Sequence, residues 1–175
     1  LQYQDLLNDP TRPLFNRAFM GLYPPASTIK PLLTIFALNN EYTNWDETIF
    51  DDGFFRFEEE ERIFNAWREG GHGLTNLEKA LVESSNPFFM NLSIRYEKDL
   101  FVEFLKSSSF GSKLCEDCYP HQFSPLIDDD WKYKNFGKEL YKGDFINLGV
   151  GQGYMLTTPL HLSLIHISEP TRPIH

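Results

Sequence analysis

A chain of 175 residues that is 41% hydrophobic and 15% aromatic is long enough for one folded unit with a real core. Its formal charge of −9 and pI near 5.0 argue against nucleic acid as a partner, since phosphate binding needs clustered lysine and arginine. The longest apolar run, residues 31–38, is far short of the roughly 20 residues that cross a bilayer, so no membrane span is read here.

The chain opens at Leu1 without a signal-peptide pattern and reads as an internal piece of a longer protein, with any anchor upstream. Tyr23-Pro24-Pro25 is an extended entry, because proline fixes φ and pushes its predecessor out of the helical region. A helix is predicted from Ser27. Its residues Ile29, Leu32, Leu33, Ile35, Phe36, Ala37 and Leu38 are apolar nearly all round, which places it in the interior. Pro31 falls in the first turn, where its missing N–H was unpaired anyway, and Asn39-Asn40 closes the helix.

Residues 54–57 and Ile63-Phe64 read as two short extended arms around the acidic residues 58–61, and Gly70-Gly71-His72-Gly73 as a loop. Thr75 and Glu78 form a T-x-x-E capping box that opens a second helix with Leu77, Ala80 and Leu81 on its apolar stripe. Ser84-Ser85-Asn86 is a turn. Pro87 then opens a third helix that buries Phe88, Phe89, Leu92 and Ile94, with Ser85 or Asn86 as its cap.

Residues 99–110 carry a further amphipathic pattern, and the acidic residues 128–130 read as a solvated segment. Cys115 and Cys118 form a lone C-x-x-C without the second pair of a zinc ribbon, and read as a loop disulfide if the compartment is oxidising. Residues 149–153 are a glycine-rich turn, and Thr158-Pro159 is a helix cap followed by a first-turn proline. The mixture of helices with short extended runs implies an α+β or mixed α/β fold. Residues 163–172 look like the translation of a transposase-type sequencing adapter, so residues 1–162 are read as the domain and 163–175 as a non-native tail.

Ser27-Thr28-Ile29-Lys30 puts a hydroxyl and an amine three residues apart on one helical face, close enough to touch. A serine becomes a nucleophile when a neighbour takes its proton, and lysine does so only when burial keeps it neutral. The helix start favours an oxyanion, to which the Ser27 N–H can donate. Such a spacing arises easily by chance, yet Ser27 is the only serine here with a lysine three residues on. Ser84 and Asn86, on a tight turn between two helices, supply a second hydroxyl for proton relay and an amide for holding a peptide; read alone, the same turn is a plain helix cap.

Asn8-Asp9-Pro10, residues 12–18, Tyr23-Pro24-Pro25-Ala26-Ser27-Thr28-Ile29-Lys30-Pro31, Gly71-His72-Gly73, Glu83-Ser84-Ser85-Asn86 with Phe88-Phe89, and Tyr141-Lys142-Gly143-Asp144 through Gly151-Gln152-Gly153-Tyr154 recur in one order. Together they resemble the class B penicillin-binding proteins, in particular the branch that serves cell elongation. The resemblance covers nearly everything from Asn8 to Leu162. It implies a fold like that of the serine β-lactamases, seen here mostly in its helical part with the C-terminal sheet strands missing. It also implies a periplasmic peptidoglycan D,D-transpeptidase, anchored in the bacterial inner membrane, needing no cofactor and acylated by β-lactams. Its partners would be D-Ala-D-Ala stem peptides, β-lactam antibiotics and membrane proteins of the elongation complex.

Carried over by residue, the resemblance makes Ser27 the nucleophile, Lys30 its proton acceptor, Ser84 an assistant in proton transfer and Asn86 a substrate-orienting amide. It sets Gly151, Gln152 and Gly153 in a turn beside the substrate cleft, chiefly as structure. The family's K-T-G strand does not occur in these residues, so the chain as written is expected to show little or no turnover. Some relatives hold zinc near the cleft through two Asp, a His and a Cys. Asp51 and His72 match two of those positions while Ala66 and Ser85 stand at the others, so no metal is expected. Two other readings stay open: a serine β-lactamase or D,D-carboxypeptidase, and a β-lactam sensor domain that kept the fold without turnover.

Overall fold

The computed structural model describes residues 2–114, 116–117 and 120–167. Cys115 and Cys118, and with them the expected disulfide, lie outside the described residues. The described chain is helix-rich, with two separate two-stranded antiparallel sheets.

Two short helices, α1 (Tyr3–Asn8) and α2 (Arg17–Met20), precede a 3-10 turn at Ala26–Ile29, which leads directly into α3 (Lys30–Asn39). The serine motif therefore straddles two helix types. Sequence placed Ser27 at the start of one α-helix, but Ala26 takes a left-handed φ of 50° and the first turn is wound more tightly. The helix is also less enclosed than its apolar sequence suggested. Lys30, Leu33, Thr34, Phe36 and Ala37 face the interior while Ile35 is exposed.

Strands β1 (Thr48–Asp51) and β4 (Gly73–Asn76) pair in one sheet, with Asp51 opposite Gly73. Strands β2 (Phe54–Phe57) and β3 (Arg62–Asn65) pair in the other, as the two predicted arms imply. The predicted capping box at Thr75 gives way to this pairing. Thr75 sits in β4 opposite Ile49, so the cap passes to Asn76, whose side chain accepts the Lys79 N–H at the start of α4 (Leu77–Val82).

Helix α5 (Asn86–Ser93) is the centre of the packing: it lies against α4, β1, β2 and α8 (Lys142–Leu148). Its cap is Ser85, which accepts the Phe88 N–H, and Pro87 occupies the first turn where no donor is lost. Phe88, Phe89, Met90 and Leu92 go into the core. The amphipathic helix α6 (Lys98–Ser107) ends before its predicted limit, since Ser109 turns into the left-handed region. Phe36 of α3 meets Tyr96 and Phe101 edge to face at 4.9 and 5.5 Å, tying α3 to α6. Each such buried ring contributes about 1.5–3 kcal/mol relative to exposure.

The acidic residues 128–130 are not simply solvated. Asp128 caps α7 (Asp129–Phe136) by accepting the Trp131 N–H, and Asp129 pairs with Lys98 at 2.5 Å. Lys132, fully buried in α7, is held 2.7 Å from both oxygens of Asp144 in α8, beneath the Tyr154 ring. Thr158 caps α9 (Pro159–Ile167) through the His161 N–H, as its sequence implied, and residues 163–167 continue that helix.

Candidate active site

Three segments converge: the 3-10 turn with the start of α3, the turn between α4 and α5, and the loop after α8. Ala26 donates its N–H to the Gly151 carbonyl at 2.8 Å, which joins the serine turn to the glycine-rich loop. Gly151 is at φ +67°, and a Cβ there would lie 2.3 Å from the Ala26 carbonyl oxygen. Only glycine fits that approach. The Gln152 side chain is exposed, and Gly153 lies against Asn147.

Ser27 is exposed while Lys30 is 2% exposed, so the turn presents the hydroxyl to solvent and sends the amine inward. The Lys30 ammonium donates to the Ser84 carbonyl at 2.9 Å, to Ser84 Oγ at 3.1 Å and to Asn86 Oδ1 at 2.8 Å. That uses all three of its protons. The Phe89 ring lies 5.1 Å away and closes the site from below. Burial pulls Lys30 down to about 8, against an opposing pull from the negative charge of Asp51.

Ser84 Oγ in turn donates to Ser27 Oγ at 2.7 Å. Ser84 thus bonds to both Lys30 and Ser27 and links the two. The four predicted residues Ser27, Lys30, Ser84 and Asn86 form one continuous hydrogen-bonded chain. A hydroxyl proton rotates freely, so once Lys30 is neutral the chain can run in reverse, from Ser27 through Ser84 to the amine.

Behind this chain Asp51, His72 and Ser85, which the resemblance sets at positions of one site, are joined by hydrogen bonds. Asp51 and Ser85 are completely buried, and Ser85 Oγ donates to Asp51 Oδ2 at 2.6 Å. His72 Nδ1 lies 2.7 Å from the same oxygen, and the Gly53 N–H donates to Oδ1 at 2.9 Å. Burial pushes the Asp51 carboxyl up, but the hydrogen bonds from Ser85, His72 and Gly53 prevail and hold it below the usual range. The zinc position that the resemblance implies for some relatives falls here, and Ala66 and Ser85 stand at two of its four ligand places. Asp51 and His72 face each other too closely for an ion between them, and no group of three or more His, Cys, Asp or Glu side chains converges among the described residues.

Residues 2–165 match the family described as the penicillin binding protein transpeptidase domain. The chain belongs to that family. The peptidoglycan D,D-transpeptidase MrdA of Escherichia coli K12 is 36% identical over 161 residues, which cover 92% of this chain and 25% of that protein. The PBP2 of Pseudomonas aeruginosa superposes with a TM-score of 0.87 at 31% identity, covering 93% of this chain and 37% of that one. The PBP2 of Helicobacter pylori, solved in complex with MreC, gives 0.83 at 31% identity, covering 91% of this chain and 30% of that one. The chain therefore spans about a quarter of the length of the curated MrdA relatives. The transpeptidase-type α+β fold read from sequence is the fold observed, and a two-sheet, helix-rich arrangement is the portion of it seen here.

Proposed function

We propose that the protein carrying this chain is a peptidoglycan D,D-transpeptidase of cell elongation that works through a serine acyl-enzyme. The observation that supports this reading best is the chain Ser27–Ser84–Lys30–Asn86, in which a buried amine reaches an exposed serine through a second hydroxyl.

Neutral Lys30 draws the Ser27 proton through Ser84, and Ser27 Oγ attacks the carbonyl of the penultimate D-Ala of a stem peptide. The Ser27 N–H donates to the oxyanion. As the C–N bond breaks, Ser84 passes the proton to the departing D-Ala amine. A side-chain amine of a neighbouring stem then attacks the ester, the cross-link forms and Ser27 recovers its proton. Asn86 Oδ1 is engaged by Lys30, which leaves its NH2 to donate to the peptide backbone of the substrate. The loop at Gly151, Gln152 and Gly153 holds the serine turn from the other side and borders the same cleft. A β-lactam follows the first half of this path and stops at the ester.

The same reading places the parent protein at the periplasmic face of the inner membrane, with elongation-complex membrane proteins as partners and an anchor in sequence other than this chain. Residues 163–175 are taken as a non-native tail, which sequencing an independent clone checks: a native continuation through these residues refutes that boundary. The test of function is fluorescent penicillin labelling of the full-length protein carrying this segment. Labelling that is lost in Ser27→Ala supports the reading, and equal labelling of both forms contradicts it.

A further inference from the structure

Ser84 adopts a left-handed φ of 54°, a conformation that a serine occupies at a cost and keeps only when its surroundings over-determine it. Its own N–H and that of Ser85 bond back to α4 at Leu81 and Ala80, which fixes the turn on one side. On the other side the restraint is Ser85. Its hydroxyl accepts the Phe88 N–H at 3.2 Å and donates to Asp51 at 2.6 Å, so both of its hydrogen-bonding roles are occupied.

Asp51 cannot easily follow a moving turn. It ends β1 in register with Gly73, its carbonyl accepts the His72 N–H, and its carboxylate is shared among His72, Gly53 and Ser85. The residues on either side of Ser85 are Ser84 and Asn86, whose oxygens must all lie within reach of one ammonium. A displacement of this turn by about 1 Å would part Lys30 from Ser84 Oγ or Asn86 Oδ1, a misplacement that costs as much as about 100-fold in rate.

We propose that Asp51, acting through the Ser85 hydroxyl and braced by His72, is a positioning residue that locks the Ser84–Asn86 turn in register with Lys30 and Ser27. The inference rests on the acyl-enzyme reading above, and it concerns how the relay is held rather than which residues react.

The test measures acylation of the full-length protein by fluorescent penicillin across a concentration series, with thermal unfolding recorded for each variant. Asp51→Asn keeps the shape and removes the charge; Ser85→Ala removes one hydroxyl. Both are expected to slow the saturating acylation rate by about 10- to 100-fold while leaving the half-saturating penicillin concentration unchanged. Ser85→Thr, which keeps the hydroxyl, is expected to restore the rate to within about threefold of the parent. If Asp51→Asn does not fold, Ser85→Ala and Ser85→Thr decide the matter alone. Variants that acylate at the parental rate overturn the proposal, whether or not their melting temperatures fall, because the cluster then serves stability only. Failure of the parent to label at Ser27 overturns the function as well, and so separates the two.

Discussion

Ser84 Oγ lies 3.1 Å from Lys30 Nζ and 2.7 Å from Ser27 Oγ, and so links the two. The second hydroxyl is thus a bridge between the two. The buried Lys30 ammonium also bonds to the Ser84 carbonyl and to Asn86 Oδ1.

Removing the bridge or the amine behind it should accordingly be severe. Lys30→Ala and Ser84→Ala in the full-length protein are expected to lower the penicillin acylation rate by about 100-fold or more, the scale of a lost general base. Stopped-time labelling followed by gel fluorescence measures this. A Ser84→Ala variant with the parental rate would mean that Lys30 reaches Ser27 unaided.

The pH dependence follows from the burial of the same amine. Lys30 is lowered to about 8 from an ordinary lysine value, and only its neutral form accepts a proton, so acylation should rise with pH through about 8 and level off above it. Folding stability moves in the same direction: between about 8 and the unfolded lysine value the unfolded chain binds the extra proton, so this residue's contribution improves as pH rises through that window. Asp51 raises Lys30, so Asp51→Asn should move the acylation midpoint to lower pH. A pH–rate series on the two forms checks both statements.

Gly151→Ala should loosen the serine turn. Its Cβ would press on the Ala26 carbonyl at a backbone angle that L-residues avoid, and such overpacking costs about 1–3 kcal/mol. Chemical denaturation should show the loss, and Ser27 acylation should slow with it.

The buried pair Lys132–Asp144 predicts a purely structural effect. Lys132→Met leaves the Asp144 carboxylate without its cation, and breaking one side of such a pair costs about 3–5 kcal/mol. Denaturant titration measures it. Among the described residues, neither Lys132 nor Asp144 is hydrogen-bonded to the relay residues, so acylation by the folded fraction should stay within about twofold of the parent.

The zinc reading has its own check. Since the Asp51 carboxylate is already held by Ser85, His72 and Gly53, a chelator should leave the melting temperature unchanged, and added zinc should not raise it. A metal-dependent rise would show that the cluster opens to bind an ion.

What sequence disclosed and what it withheld divide along physical lines. Ser27, Lys30, Ser84 and Asn86 were legible as candidates, since spacing pairs Ser27 with Lys30 and Ser84 with Asn86 within a turn of chain and the resemblance brings the two pairs together. The order of those contacts was not. It depends on a 3-10 turn set by the left-handed Ala26 and on a carbonyl from Gly151, more than a hundred residues away. Strands β1 and β4 escaped notice because glycine opens one of them and their pairing spans some twenty residues of intervening chain. Helix α7 was hidden because Asp128, Asp129 and Asp130 look like surface, while one of them is a cap and another an ion-pair partner. Ser85 illustrates the same limit most plainly: as a helix cap it was visible in sequence, whereas its bond to Asp51 depends on tertiary pairing.

The most direct trial of the account is peptide mass spectrometry of the penicillin-treated full-length protein, with Ser27→Ala alongside. The account predicts one covalent penicilloyl adduct, carried on the peptide containing Ser27 and absent from the variant. An adduct on any other residue, or one that survives loss of the Ser27 hydroxyl, would contradict it.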